Sequence, residues 1–362
     1  MSSVLSDTDA SPTQPLRASP GAACPGGWPR LSIVIPTCRR PVLIARCLQA
    51  IVAQRFDPAA FEVVVVDDGR SADTEAAVDA VARAHPAHTI RYLRPPRGRG
   101  PAAARNAGWR AARAPIIAFT DDDTLPDRDW LAHGERALVD DVVAVAGRVT
   151  VPSPNAATDG ANAPAGGAAA PTDHELMTRG LERAEFVTAN AFVRRNALIG
   201  IGGFDERFER PWREDSDLQF ALEEKGRVAR CADAVVTHPV RAEAWGVSLR
   251  QQKNVFYDAL LYKKYPRLYR QRILAAPPWN YYAVVALSLA AAFFMATGVI
   301  GSAAASAAVA LVLIADVARR RLRRTSHAPA HVLEMIVTSA AIPYLSVYWR
   351  LRGAIHFRVG YL

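Results

Sequence analysis

Three consecutive carboxylates, Asp121, Asp122 and Asp123, close the apolar run Ile116–Thr120 and are followed by Pro126. Acids placed side by side repel one another and lose hydration if they pack away from water, so a cation is expected beside them. Hard divalent ions take oxygen ligands and bridge carboxylates to phosphates, which makes this run a candidate metal–diphosphate site; an acidic, solvated loop is the plain alternative. Two more acid groups have the same character. Asp67-Asp68-Gly69 ends a run of four valines, and Glu214-Asp215, with Asp217, opens an apolar-periodic segment beside Trp212 and Arg213. Acids at a helix start are favoured by the helix dipole, which accounts for capping. A Trp and an Arg beside three acids point further, to a carboxylate held as a general base. His238 follows Val235-Val236-Thr237, where it is either a structural histidine or a ligand for metal or diphosphate.

These groups need elements to hold them. Leu31–Thr37 is an apolar run stopped by a turn, and Pro41–Gln54 repeats its apolar residues at helical spacing. Phe61–Asp67 suits a strand buried on both faces. A helix over about Thr74–Ala84, a short strand at Ile90–Leu93, a helix at Pro101–Ala114 and a strand at Ile116–Thr120 follow. Further strands are expected at Val142–Val149, Phe186–Val193 and Val235–Val240, with helices at Arg195–Ile201 and from the acid pair to Gly226. Strand–helix alternation predicts an open α/β sheet, in which ligands lie outside the carboxyl ends of the strands. Thr37, Asp68 and Asp121 to Asp123 all fall at such ends. Residues 152–171 are Pro, Ala, Gly and Asn with almost no bulky side chain, and read as a flexible loop.

The composition narrows the class. Half of the 362 residues are hydrophobic and the formal net charge is +9. Arg319–Arg358 carries eight arginines against one glutamate, and this basic excess flanks apolar segments, favouring an anionic membrane surface over nucleic acid. Tyr281–Ala315 holds no charge; Tyr281–Ile300 alone is long enough to cross a bilayer, with Trp279, Tyr281 and Tyr282 at its edge. Basic residues on both sides predict a hairpin with both ends in the cytoplasm; an Ala-rich helical pair inside a soluble domain is the competing reading. Val332–Trp349 is a third apolar segment, interfacial or membrane-inserted. Four cysteines without Cys-x-x-Cys spacing read as reduced thiols, and residues 1–30 lack the apolar core of a signal peptide and read as a disordered tail. The expected domains are 31–270 for catalysis, 279–318 for the transmembrane hairpin and 319–362 for the basic third segment.

With Ser32-Ile33-Val34-Ile35-Pro36-Thr37, Val66-Asp67-Asp68-Gly69, Ala104-Arg105-Asn106-Ala107-Gly108, Thr120-Asp121-Asp122-Asp123, Gly202-Gly203-Phe204-Asp205 and Glu214-Asp215 in this order, the chain resembles the family 2 glycosyltransferases over about Leu31–Pro266. These are inverting enzymes of the GT-A fold, a Rossmann-like mixed sheet flanked by helices. The resemblance implies that Pro36, Thr37 and Arg39 line the nucleotide pocket and that Asp68 binds the base, most often uracil. It places Arg99 or Arg105 near the nucleotide and Asp121 on ribose or sugar. Asp123, with Asp121, Asp122 and His238 as further candidates, would hold Mg²⁺ or Mn²⁺ on the diphosphate. Asp215 would be the catalytic base, with Trp212, Arg213 and Glu214 on the acceptor side. The serine usual after Asp-Asp-Gly is Arg70 here.

A single base without an enzyme nucleophile predicts inversion. The Gln-x-x-Arg-Trp motif of processive synthases is absent, so one sugar or a few are expected to be added. The expected partners are a nucleotide-sugar donor (UDP-sugar first), a glycan or lipid-linked acceptor and membrane lipids, without nucleic acid. The expected place is the cell's inner (plasma) membrane, with the catalytic domain facing the cytoplasm and serving the cell envelope. A sugar nucleotidyltransferase would carry a Gly-rich turn where this chain has Pro36-Thr37-Cys38-Arg39-Arg40. A non-catalytic membrane scaffold is the remaining rival, and a scaffold has no need of so many intact acids.

Overall fold

The computed structural model describes residues 27–95, 100–152 and 170–361; the tail before them, Arg99 and most of the loop expected at 152–171 lie outside the described residues. Eight strands form one mixed sheet in the order β3-β2-β1-β4-β7-β6-β8-β5. Strands β1 (Leu31–Thr37), β2 (Phe61–Asp67), β3 (Thr89–Leu93) and β4 (Ile116–Thr120) run parallel, linked by helices α1 (Pro41–Val52), α2 (Ala72–Ala84) and α3 (Pro101–Ala111). The second half comprises β5 (Leu125–Pro126), α4 (Trp130–Ala137), β6 (Val142–Thr150), α5 (Asp173–Arg179), β7 (Asn190–Arg194), α6 (Arg195–Ile201), α7 (Glu214–Glu223) and β8 (Arg227–Thr237). Here β7 is antiparallel to β4 and β6, and β5 antiparallel to β8. The carboxyl ends of β1, β2 and β4 therefore meet on one edge, where the acids sit.

Burial on both faces explains the near-continuous apolar runs of β1 and β2. One face packs Ile33, Ile35 and Val65 against Ile44, Leu48 and Val78 of α1 and α2; the other packs Val34, Val66 and Phe119 against α3, α6 and α7. Helix α3 lies so close to β1 that a Cβ added at Gly108 would stand 2.3 Å from Cγ1 of Val34. Two strands start several residues from their expected places. The strand expected from Phe186 begins at Asn190, because Val187 accepts a turn hydrogen bond from the Asn190 amide and Thr188 spends its hydroxyl on Asp215. Strand β8 begins at Arg227, well before Val235; its first half alternates with charged and small residues and gives no apolar run to read.

Short helices α8 (Val247–Gln251), α9 (Asp258–Lys264) and α10 (Pro266–Leu268) lead to three long apolar ones. Helix α11 (Trp279–Ala296) has 18 residues, α12 (Ile300–Leu322) has 23 and α13 (Pro329–Phe357) has 29, each long and apolar enough to cross a bilayer. Leu289, Phe293, Leu311 and Val312 point outward, a surface suited to lipid. The three helices fit a membrane anchor. Helix α13 differs from its neighbours: 44% of its most apolar window is buried, against 6% in α11 and 17% in α12. It runs continuously through Pro343 and lays Phe357 into a cluster with Phe208, Phe220, Leu260 and Tyr269. Arg321 of α12 adds a polar tie, donating to Asp173 at 2.8 Å, Ser248 at 3.1 Å and Thr338 at 2.7 Å.

Gly108→Ala is expected to destabilise the chain by about 1–3 kcal/mol through overpacking against Val34, read as a lower apparent Tm of the detergent-solubilised protein.

Candidate active site

The pocket edge is built first by Thr37, at the end of β1. Its carbonyl accepts the Asp68 amide at 2.9 Å, and its hydroxyl donates to Asp122 Oδ2 at 2.7 Å. Thr37 thus joins the acid pair after β2 to the acid triplet after β4. Within the pair the roles are divided. Asp67 is fully buried and holds the turn, accepting from the amides of Gly69 and Ser71 and from the Tyr92 hydroxyl at 2.6 Å. Asp68 is less buried and accepts from the Gly100 amide at 3.0 Å, which ties the start of α3 to the pocket. Gly100 has φ +86, and a Cβ there would stand 2.1 Å from the Glu209 carbonyl, so no side chain fits. Pro36 is half-buried, and Arg39 is exposed on the same turn.

The three adjacent aspartates diverge, and each meets its own arginine. Asp122 turns toward Arg40, 3.0 Å away, and Thr37; burial pushes its carboxyl up, while Arg40 and the Thr37 hydroxyl oppose this. Asp121 accepts from Arg105 at 2.8 Å. Asp123 lies 3.4 Å from His238 Nε2 and 3.1 Å from Arg241 Nε. Three guanidinium groups from three separate segments thus stand beside the triplet. Sequence reasoning missed Arg40 and Arg241; their signals were a second Arg at the β1 turn and an Arg three residues after His238.

Ligand atoms of Asp121, Asp123 and His238 lie within 4.8 Å of one another. Two carboxylates and an imidazole suit a divalent ion. His238 is 8% exposed, and its Nδ1 is buried without a partner among the described residues. Its Nε2 is the nitrogen that faces Asp123, and is the atom an ion shared with the carboxylates would take. The cluster fits a divalent metal ion.

Across the pocket, Glu214 and Asp215 open α7, after Arg213 in the left-handed region at φ +72. Glu214 is 4% exposed and accepts from Arg105 Nη1 at 3.2 Å. The same Arg105 that holds Asp121 thereby holds the helix of the acid pair. Asp215 is less buried and accepts from the Thr188 hydroxyl at 2.6 Å. Burial raises both carboxyls above the usual range; the charge of Asp215 adds to the rise at Glu214, and Arg105 opposes it at both. Trp212 and Arg213 both donate to Asp258 of α9, at 3.0 and 2.6 Å, with the guanidinium 4.6 Å from the indole centroid. Thr188 was not foreseen, because a lone threonine before a strand carries no pattern.

The sequence and the fold are similar to those of known proteins. Residues 32–202 match the model of Glycosyl transferase family 2. The glycosyltransferase AglE of Haloferax volcanii is 26% identical over 262 residues, which are 69% of this chain and 80% of that protein. The pre-mycofactocin glycosyltransferase of Mycobacterium tuberculosis is 34% identical over 189 residues, half of this chain but only 38% of that longer protein. In fold, the chain is similar to the mannosyltransferase PcManGT from Pyrobaculum calidifontis, solved in complex with GDP-Man and Mn²⁺. The TM-score is 0.56 at 22% identity, covering 90% of this chain and 89% of that one. Residues 32–202 are a glycosyl transferase family 2 domain, and the chain is a glycosyltransferase of the GT-A fold with three apolar helices that fit a membrane anchor.

Proposed function

We propose that the chain transfers a sugar from a nucleoside-diphosphate sugar, with UDP-sugars first to be tried, to a hydroxyl acceptor with inversion at the anomeric carbon. The observation that carries this reading is the bridge made by Arg105, 2.8 Å from Asp121 and 3.2 Å from Glu214. One guanidinium thus links Asp121 to the acid pair of α7, which supports reading the two acid groups as parts of one site. Thr37, Pro36, Arg39 and Asp68 would line the nucleotide, with Arg99 a further candidate beside it. Asp121, Asp123 and His238 would hold a divalent ion, which when bound offsets the charge of the departing diphosphate. In this reading Asp122 keeps the turn in place through Thr37 and Arg40 and does not itself ligate.

Asp215 is the proposed base. A hydroxyl is a weak nucleophile near neutral pH, and a carboxylate within hydrogen-bond reach takes its proton as attack proceeds. The Thr188 hydrogen bond fixes the orientation of the Asp215 carboxylate. Glu214, more deeply buried and pinned by Arg105, orients α7, and Trp212 and Arg213 fix its cap through Asp258. With one base and a direct displacement the anomeric carbon inverts. The apolar helices and the arginine cluster at Arg319–Arg324 support an active site at the cytoplasmic face of the inner membrane. An acceptor of the cell envelope, borne on lipid, would share that surface.

Asp215→Asn is expected to lower kcat by about 10²–10⁴-fold while nucleotide affinity, measured by calorimetry, stays near wild type; near-normal transfer would remove Asp215 from the role. EDTA, or Asp123→Ala, is expected to abolish metal-dependent binding of the nucleotide sugar, again read by calorimetry. The base works ionised, so its raised pKa moves the acid limb of the kcat/KM profile above the ordinary carboxylate range, and activity falls as pH drops through it. Thr188→Val removes a hydrogen bond that favours the ionised form and is expected to move that limb to still higher pH.

A further inference from the structure

A cavity adjoins the Asp123 cluster through Arg241. It has a volume of about 410 Å³ and lies between α5, the segment 240–248 and the first turns of α13. Arg241 belongs to both places: it lines this cavity, and its Nε stands 3.1 Å from Asp123. His331, on the α13 wall, is 8% exposed, yet its Nε2 has no partner among the described residues. His174 Nδ1, on the α5 wall, is likewise buried and unmatched. Trp245 lines the cavity with half its surface exposed.

The polar groups decide what chemistry fits. Four carboxylates line the space, and each already holds one partner: Asp173 has Arg321 at 2.8 Å, Glu175 the Thr172 amide at 2.8 Å, Glu334 the Gly246 amide at 2.8 Å, and Glu243 has Arg250 at 4.0 Å. Against these four acids stand Arg241 and the two arginines already paired with Asp173 and Glu243, so the cavity has no excess of positive charge to recruit a phosphate. Their remaining lone pairs accept hydrogen bonds from hydroxyls, and an imidazole nitrogen donates or accepts as its tautomer allows. An indole with an open face offers apolar surface beside this ring of acceptors. Acceptors, unmatched imidazoles and an aromatic platform complement an uncharged polyol.

We propose that this cavity is the acceptor subsite and binds a neutral sugar ring, presented at the membrane by the walls that α13 supplies. The proposal rests on the glycosyltransferase reading above and adds to it the class of the acceptor. His331 hydrogen-bonds a sugar hydroxyl, Trp245 covers a ring face, and the reacting hydroxyl lies on the Arg241 side of the cavity, next to Asp123.

The test uses the full chain in phosphatidylcholine nanodiscs without nucleotide, following tryptophan fluorescence. The titrants are methyl glycosides of glucose, galactose, mannose and N-acetylglucosamine, the same sugars on dodecyl chains, and inorganic phosphate. At least one glycoside is expected to give a saturable change that Trp245→Phe abolishes and His331→Ala weakens about five- to tenfold. A tighter response to the dodecyl form identifies a membrane-borne acceptor and an equal response a soluble one; either supports the subsite. Absence of saturation with every glycoside, saturation by phosphate alone, or a full response in Trp245→Phe would overturn it. Calorimetry of UDP-sugar and GDP-sugar binding to the wild type with Mn²⁺ reports on the donor reading separately, so the two fail independently.

Discussion

One buried guanidinium organises the catalytic half of this molecule. Arg105 is 3% exposed and lies between carboxylates from two distant parts of the chain, Asp121 after β4 and Glu214 at the start of α7. An arginine in that position without its acids would be a severe cost, and the acids without it would repel one another. The three groups are therefore tolerable only together. Their mutual need fixes α3, the end of β4 and α7 in one arrangement. Arginine suits the task, since its fork meets two acids at once and its charge is not lost on burial.

The same logic repeats around the triplet. Arg40 answers Asp122 and Arg241 answers Asp123, so three neighbouring charges are sent in three directions. Divergence of this kind leaves Asp121, Asp123 and His238 close enough to share an ion, while Asp122 serves the turn. A run of identical residues thus performs different tasks, distinguished only by what each side chain meets.

How far the sequence could be read follows from where its signals are local. The strands Leu31–Thr37 and Phe61–Asp67 were legible because burial on both faces leaves an unbroken apolar run. The acids at strand ends were legible because charge beside such runs is rare and strand ends are where α/β sheets bind. Thr188, Arg40 and Arg241 were not, since each matters only through a partner 27, 82 or 118 positions away. The alternation of Arg227–Ala232 concealed a strand because one of its faces is open to water. Family resemblance supplied the order of the motifs, and physical pairing explains why that order forms a pocket.

The burial of α13 has one more consequence. This helix covers Tyr257, Leu260 and Tyr269 with Phe357, and its Arg350 stands 3.8 Å from the Asp258 that anchors Trp212 and Arg213. Anchor and catalytic body are thus not two modules joined by a tether. Cutting the chain ahead of Pro329 would lay bare an aromatic seam and unfasten the cap of α7, yielding an adhesive fragment where a free-standing enzyme might have been sought. In this protein the apolar helical end completes the fold of the mixed sheet and its helices.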